Sequence, residues 1–134
     1  MKAITAIIEK ASDGGYAIYC KEISGLVGSG LTEKEAKEDF VQVLDEQADF
    51  YKERHGKFPK WYADEYEIEY RYDMSALFLS FPYINASEFA QYIGINPSLM
   101  RKYKSGLVAA GEKQKNLIQA KWNEMIENME RVKF

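Results

Sequence analysis

The clearest alternation of apolar and polar positions in the chain runs from Tyr66 to Asp73. Tyr66, Ile68, Tyr70 and Tyr72 fall on one side, and Glu67, Glu69, Arg71 and Asp73 on the other. Period two is the repeat of a strand, so this segment reads as a strand with one covered face. Lys2 to Glu9 carries Ile and Ala on both faces and reads as a strand central in its sheet. Ser12-Asp13-Gly14-Gly15 is a turn signal, and Tyr16 to Lys21 returns as the second strand of a hairpin. Glu22 to Leu31, broken by Gly25, Gly28 and Gly30, reads as a short irregular strand followed by a loop. From Thr32 the period lengthens. Ala36, Phe40, Val43 or Leu44, Gln47 or Ala48, and Tyr51 make the inner stripe of a helix that runs to about Arg54. Thr32 and Glu35 form a capping box at its start, and His55-Gly56 ends it. Trp61-Tyr62 opens the next element, which leads to the Tyr66 strand.

The pattern beyond Asp73 is helical throughout. Asp73 can cap a short helix from Met74 to Phe81, which is too apolar to stand in water and so packs between the two halves, and Pro82 ends it. Two short helices follow within Asn85 to Gly106. Asn85 or Ser87 caps the first; Phe89, Ala90 and Ile93 line it, and Gly94 makes the turn. Asn96 caps the second, Pro97 suits its first turn, Met100 and Tyr103 face inward, and Ser105-Gly106 closes it. After a connection from Leu107 to Ala110, a long helix runs from Gly111 to about Val132. Ile118, Trp122, Met125, Met129 and Val132 recur in it at heptad-like spacing. That seam can close the core of the short helices or pack on a second subunit. The fold class expected is α+β, with a β-β-β-α-β sheet domain over residues 1–73 and an all-α domain over residues 74–134.

Charge sharpens this division. The 134 residues carry a net charge of −3. Residues 1–74 hold ten Lys and Arg against sixteen Asp and Glu, a net −6, whereas the remaining residues hold eight against five, a net +3. Arg101, Lys102, Lys104, Lys113, Lys115 and Lys121 face a single acid, Glu112, between Asn96 and Lys121. An acidic half suits a basic protein, and a basic half suits phosphate. The single cysteine, Cys20, excludes an internal disulfide and a cysteine-based metal cluster, and it reads as a small buried hydrophobe. No apolar run approaches the ~20 residues of a membrane span, and the amino end lacks a cleavage pattern, so the expected compartment is the cytoplasm.

The candidate chemistry is thin for an enzyme. Gly25, Gly28 and Gly30 do not have the spacing of a phosphate loop, and no Gly-Lys-Ser/Thr follows them, so strand irregularity is the better reading. His55, the sole histidine, sits at a helix end beside lysines and has no assignable partner. The tyrosine row could stack bases, but no cations interleave it, and packing against the Thr32 helix accounts for it better. Metal-assisted catalysis on such a sheet needs clustered carboxylates. Here Glu9 stands at a strand end, and Glu67 and Glu69 lie on a solvent face. Neither catalysis nor a cofactor is expected.

Two resemblances give the pattern a direction. Ala90, Gly94-Ile95-Asn96, Met100, Tyr103 and Gly106 resemble the lambda-repressor-like, Xre-type helix-turn-helix family. Gly15-Tyr16-Ala-Ile-Tyr19, Ile23-Ser-Gly25-Leu-Val-Gly28-Ser-Gly30 and Leu31-Thr32-Glu33-Lys34-Glu35-Ala36 resemble the amino-terminal domain of HicB-type antitoxins, a degraded RNase H-like sheet. It departs from that pattern in having Ser24-Gly25 where Pro-Gly is frequent.

The resemblance implies the antitoxin of a HicA/HicB-like pair. Such an antitoxin would mask a small basic mRNA-cleaving toxin with the sheet domain and repress its own operon through operator DNA. Ser98, Arg101 and Lys102 would then face the major groove, while Ser87, Asn96, Lys104, Lys113 and Lys115 would meet the backbone. Ile118, Trp122, Met125 and Met129 would pair subunits into a homodimer or higher homo-oligomer. The alternative is a stand-alone helix-turn-helix regulator whose sheet domain senses a ligand or protein.

Overall fold

A computed structural model describes residues 2–63 and 66–134 of the chain. Four strands, β1 (Lys2–Lys10), β2 (Tyr16–Cys20), β3 (Val27–Gly30) and β4 (Tyr66–Tyr72), form one sheet in the order β3-β2-β1-β4. β1 pairs antiparallel with β2 (Ile8 opposite Ile18) and parallel with β4 (Ile4 opposite Ile68). The strand expected to be central is central: Ile4, Ala6, Ile7 and Ile8 are all buried. The parallel β1–β4 pair needs a crossover. The long helix α1 (Glu33–His55) supplies it and lies across one face of the sheet.

α1 begins as its sequence dictates. The Thr32 hydroxyl accepts the Glu35 N–H at 3.1 Å. The Glu35 carboxylate reaches back one residue further than in a standard capping box, to the Leu31 N–H at 3.2 Å. The stripe settles on Ala36, Phe40, Leu44 and Ala48, all fully buried, so Leu44 and Ala48 occupy the positions that Val43 and Gln47 contested. Gly56, at φ 77°, ends the helix by turning left-handed and returning its N–H to the Lys52 carbonyl. Tyr66, Ile68 and Tyr70 pack under α1, which accounts for the tyrosine row.

The segment after β2 differs in order from the sequence expectation. The bend comes first, over residues 21–25 with Gly25 at φ 85°, and the strand second. Gly28 and Gly30 lie inside β3 because α1 presses onto it. A Cβ at Gly28 would stand 2.5 Å from the Phe40 Cα, and one at Gly30 would stand 2.6 Å from the Ala36 nitrogen. Trp61 and Tyr62 belong to a one-turn helix, α2 (Lys60–Ala63), rather than to the strand that follows.

The second half is helical: α3 (Met74–Ser80), α4 (Ala86–Ile93), α5 (Pro97–Ser105) and α6 (Glu112–Glu130). Asp73 caps α3 by accepting the Ser75 N–H at 3.1 Å. α3 sits between two clusters, with Ala76 in the sheet core and Met74, Leu77 and Phe78 in the helical core. Its start is stitched to the end of β1. The Asp73 N–H donates to the Ile8 carbonyl at 2.8 Å, and the Lys10 N–H donates to the Ser75 hydroxyl at 3.0 Å. Among the described residues no helix is long and apolar enough to cross a membrane.

Candidate nucleic-acid interface

α4 and α5 are joined by the turn Gly94-Ile95-Asn96. Asn85 is the cap of α4, its side chain accepting the Glu88 N–H at 2.9 Å. Gly94, at φ 92°, makes the turn in the left-handed region where a side chain would be strained. Asn96 caps α5 through the Ser98 N–H at 2.8 Å, and Pro97 follows in the first turn. The inner faces meet at Ala90 and Met100, both fully buried, with Phe89, Ile93, Ile95 and Tyr103 around them. α6 closes this core with Ile118, and its Trp122 stands edge-on to Phe89 at 6.1 Å between ring centroids.

This packing leaves Ser98, Arg101 and Lys102 exposed on the outer face of α5, at helical spacings of three and four. Ser87, the other cap candidate of α4, has a different use. Its hydroxyl accepts from the Arg101 guanidinium at 3.1 Å, which ties the two helices together and orients the cation. The Asn96 side-chain oxygen is spent on capping. Lys104 is exposed, with its ammonium 5.9 Å from the centre of the Phe78 ring. Lys113 and Lys115 lie apart from these, in the first turns of α6, where Lys115 pairs with Glu112 at 3.6 Å. That pair is exposed and changes the local charge only slightly.

The structure thus gathers Ser87, Arg101 and Lys104 into one open cleft of about 460 Å³. It adds a residue that sequence reasoning missed, Lys10 from the end of β1. Nothing in the local pattern marks Lys10, because only the β1–α3 stitching carries it to this place. Of the seam residues, Ile118 is buried and Trp122 and Met125 are packed against the helical core, so they serve the chain's own interior. Met129 is 61% exposed and Val132 54%.

Comparisons with known proteins bear on a third of the chain. Over 45 residues it is 60% identical to UPF0150 protein ssl0738 of Synechocystis. That stretch is 33% of this chain and 62% of the relative, so the chain spans about three-fifths of the length of the protein it matches. No family model matches the chain, and no solved structure matches it.

The acidic half presents a different surface. On α1, Glu38, Glu46, Asp49 and Glu53 are exposed; so are Val41 and Phe50, which lie on opposite sides of the helix, with the Arg54 guanidinium 5.4 Å from the centre of the Phe50 ring. Glu33, at the start of the same helix, is held inward. Burial pushes its carboxyl up, but hydrogen bonds from Tyr72, Lys37 and Ser80 more than offset this and hold it below its ordinary 4.5. Burial first, and then the bond to Glu33, pushes the Tyr72 hydroxyl well above its ordinary value. Ser80 also shares a 3.0 Å hydrogen bond with the Tyr16 hydroxyl, so this network joins β2, β4, α1 and α3.

Proposed function

We propose that the chain is the cytoplasmic antitoxin of a type II toxin–antitoxin pair of the HicA/HicB kind. It would neutralise a small basic mRNA-cleaving toxin and repress its own operon as a homodimer or higher oligomer. The observation that carries this reading is the exposed face of α5, where Ser98, Arg101 and Lys102 stand together on a helix braced from behind by α4 and α3. A helix of that kind fits the major groove, where an Arg or Lys can pair with guanine. The match to a UPF0150 protein supports the sheet half of the reading, such proteins being in general related to HicB-like antitoxins. The exposed acids of α1, Glu38, Glu46, Asp49 and Glu53, support a basic protein partner, since complementary charge steers association.

Two measurements test the two halves separately. In a gel-shift titration with duplex DNA from upstream of its own gene, the chain should bind, and Lys102→Ala should relax sequence preference at the cost of about 1–3 kcal/mol at its base pair. Unchanged affinity and preference would remove Lys102 from the interface. Co-expression with the neighbouring small reading frame should give a stable complex and relieve toxicity. A chain that neither binds nor neutralises its neighbour would overturn the antitoxin assignment.

A further inference from the structure

The cleft between the end of β1 and the α4–α5 pair collects charge from parts of the sequence that are far apart. Lys10, Arg101 and Lys104 all line it, and no carboxylate does. None of the three forms an ion pair among the described residues. The start of α4 lines it as well, through Asn85, Ala86 and Ser87. The first N–H groups of a helix have no partner within it, and the cap at Asn85 satisfies only that of Glu88. The Ser87 hydroxyl accepts from Arg101, which leaves its own proton to donate. We propose that this cleft is a phosphate-binding site, in which Lys10, Arg101 and Lys104 supply the charge and Ser87 donates a hydrogen bond.

Two features oppose an anion here. Asp73 stands behind Ser75, whose hydroxyl is committed to it. α5 brings its carboxyl end to the cleft through Lys104 and Ser105. The second feature accounts for Lys104, since a cation is favoured in the last turn of a helix. It does not account for Lys10, which belongs to a strand of the other half, nor for Arg101, which Ser87 turns toward the start of α4. An anion bound between these groups would join the two halves of the molecule.

Phosphate can come from a DNA backbone or from a free phosphate-bearing molecule, and the first source alone rests on the DNA-binding reading above. The experiment therefore has two arms, each on the full chain and on Lys10→Gln, a change at an exposed side chain. The first arm follows amide NMR signals during titration with inorganic phosphate against chloride at matched ionic strength. Saturable shifts at Ala86, Ser87 and Ser105 are expected, weakened several-fold in Lys10→Gln. The second arm measures affinity for the upstream duplex as a function of salt. A phosphate seated on Lys10 makes binding weaker for every sequence in Lys10→Gln and lowers the salt slope by about one.

Loss in both arms supports the site with DNA as its source. Loss in the phosphate arm alone supports it with a free phosphate as its source, and this holds even if the chain binds no DNA. No saturable shift in the full chain, together with DNA affinity and salt slope indifferent to Lys10, would overturn the cleft and leave DNA binding by α5 standing.

Discussion

α1 and α6 are the two long helices of this chain, and they use their apolar stripes differently. α1 spends Ala36, Phe40, Leu44 and Ala48 completely, with all four beneath the sheet. α6 carries an equally regular seam, but of its residues Ile118 alone is buried, and that less completely. Its last turns hold Ile126 and Met129 in the open, and Val132, expected to close the helix, lies exposed just past its end at Glu130. The starts of the helices differ as well. Thr32 caps α1 with its hydroxyl, whereas Gly111 offers α6 no side-chain bond. The difference teaches that periodicity tells which face of a helix is apolar and leaves open what covers it. The sheet half consumes the stripe on α1 from Ala36 to Ala48, while the helical core takes Ile118, Trp122 and Met125 from α6 and leaves the end of its stripe uncovered.

The comparison breaks most readily at α1. Phe40→Ala should cost about 3–5 kcal/mol in urea unfolding, because it empties a fully buried aromatic site against β3. Gly28→Ala attacks the same contact from the strand side. Its Cβ would meet the Phe40 backbone at 2.5 Å, and backbone cannot rotate away. The expected loss is about 1–3 kcal/mol or more. If Gly28→Ala were neutral, α1 would not lie as close to β3 as described, and the stripe would be less completely spent than that of α6.

A smaller effect should appear at the start of α1. Glu33 is held below its ordinary 4.5, so the stability it contributes is present above that value and is lost as the pH falls through its lower value in the folded chain. Glu33→Gln keeps one acceptor oxygen, for Tyr72, but sets an NH2 group where the carboxylate accepts from Ser80 and removes the charge that Lys37 meets at 3.0 Å. A loss of about 1–2 kcal/mol is expected at neutral pH. The gap to the parent chain should close on acidification. A gap that stays constant from neutral to acid pH would show that the network acts through shape and not through the Glu33 charge.

These particulars show what the sequence could and could not convey. Strand β4 was legible because period two names its faces, and α1 because Thr32, the four-residue stripe and Gly56 agree with one another. The turn at Gly94 was legible because only glycine takes φ 92° without strain. β3 was misordered because its glycines look like loop residues until α1 is placed over them. Within the candidate interface, the exposed face of α5 followed from subtracting Met100 and Tyr103, a local operation. Lys10 could not be found in that way. Its place beside Arg101 depends on a hydrogen bond between the β1 backbone and Ser75, and no local pattern encodes such a pairing.

The smallest effect in monomer stability sharpens the comparison at the other end. Met129→Ser with Val132→Ser removes two exposed apolar side chains beyond the part of α6 that packs on the helical core. In a single chain, surface changes of this kind should alter unfolding stability by no more than about 0.5 kcal/mol. If the unspent half of the seam is covered by a second copy, however, the pair of changes should halve the mass in sedimentation at micromolar concentration and make the parent's stability, but not the variant's, depend on protein concentration. Met129 continues the heptad spacing of Trp122 and Met125 on α6, and Val132 follows just past the helix end, so a partner helix would meet Met129 in register with residues the chain already uses internally. A variant of unchanged mass would refute a subunit seam at these positions, and the end of α6 would then differ from α1 in having no stripe to spend.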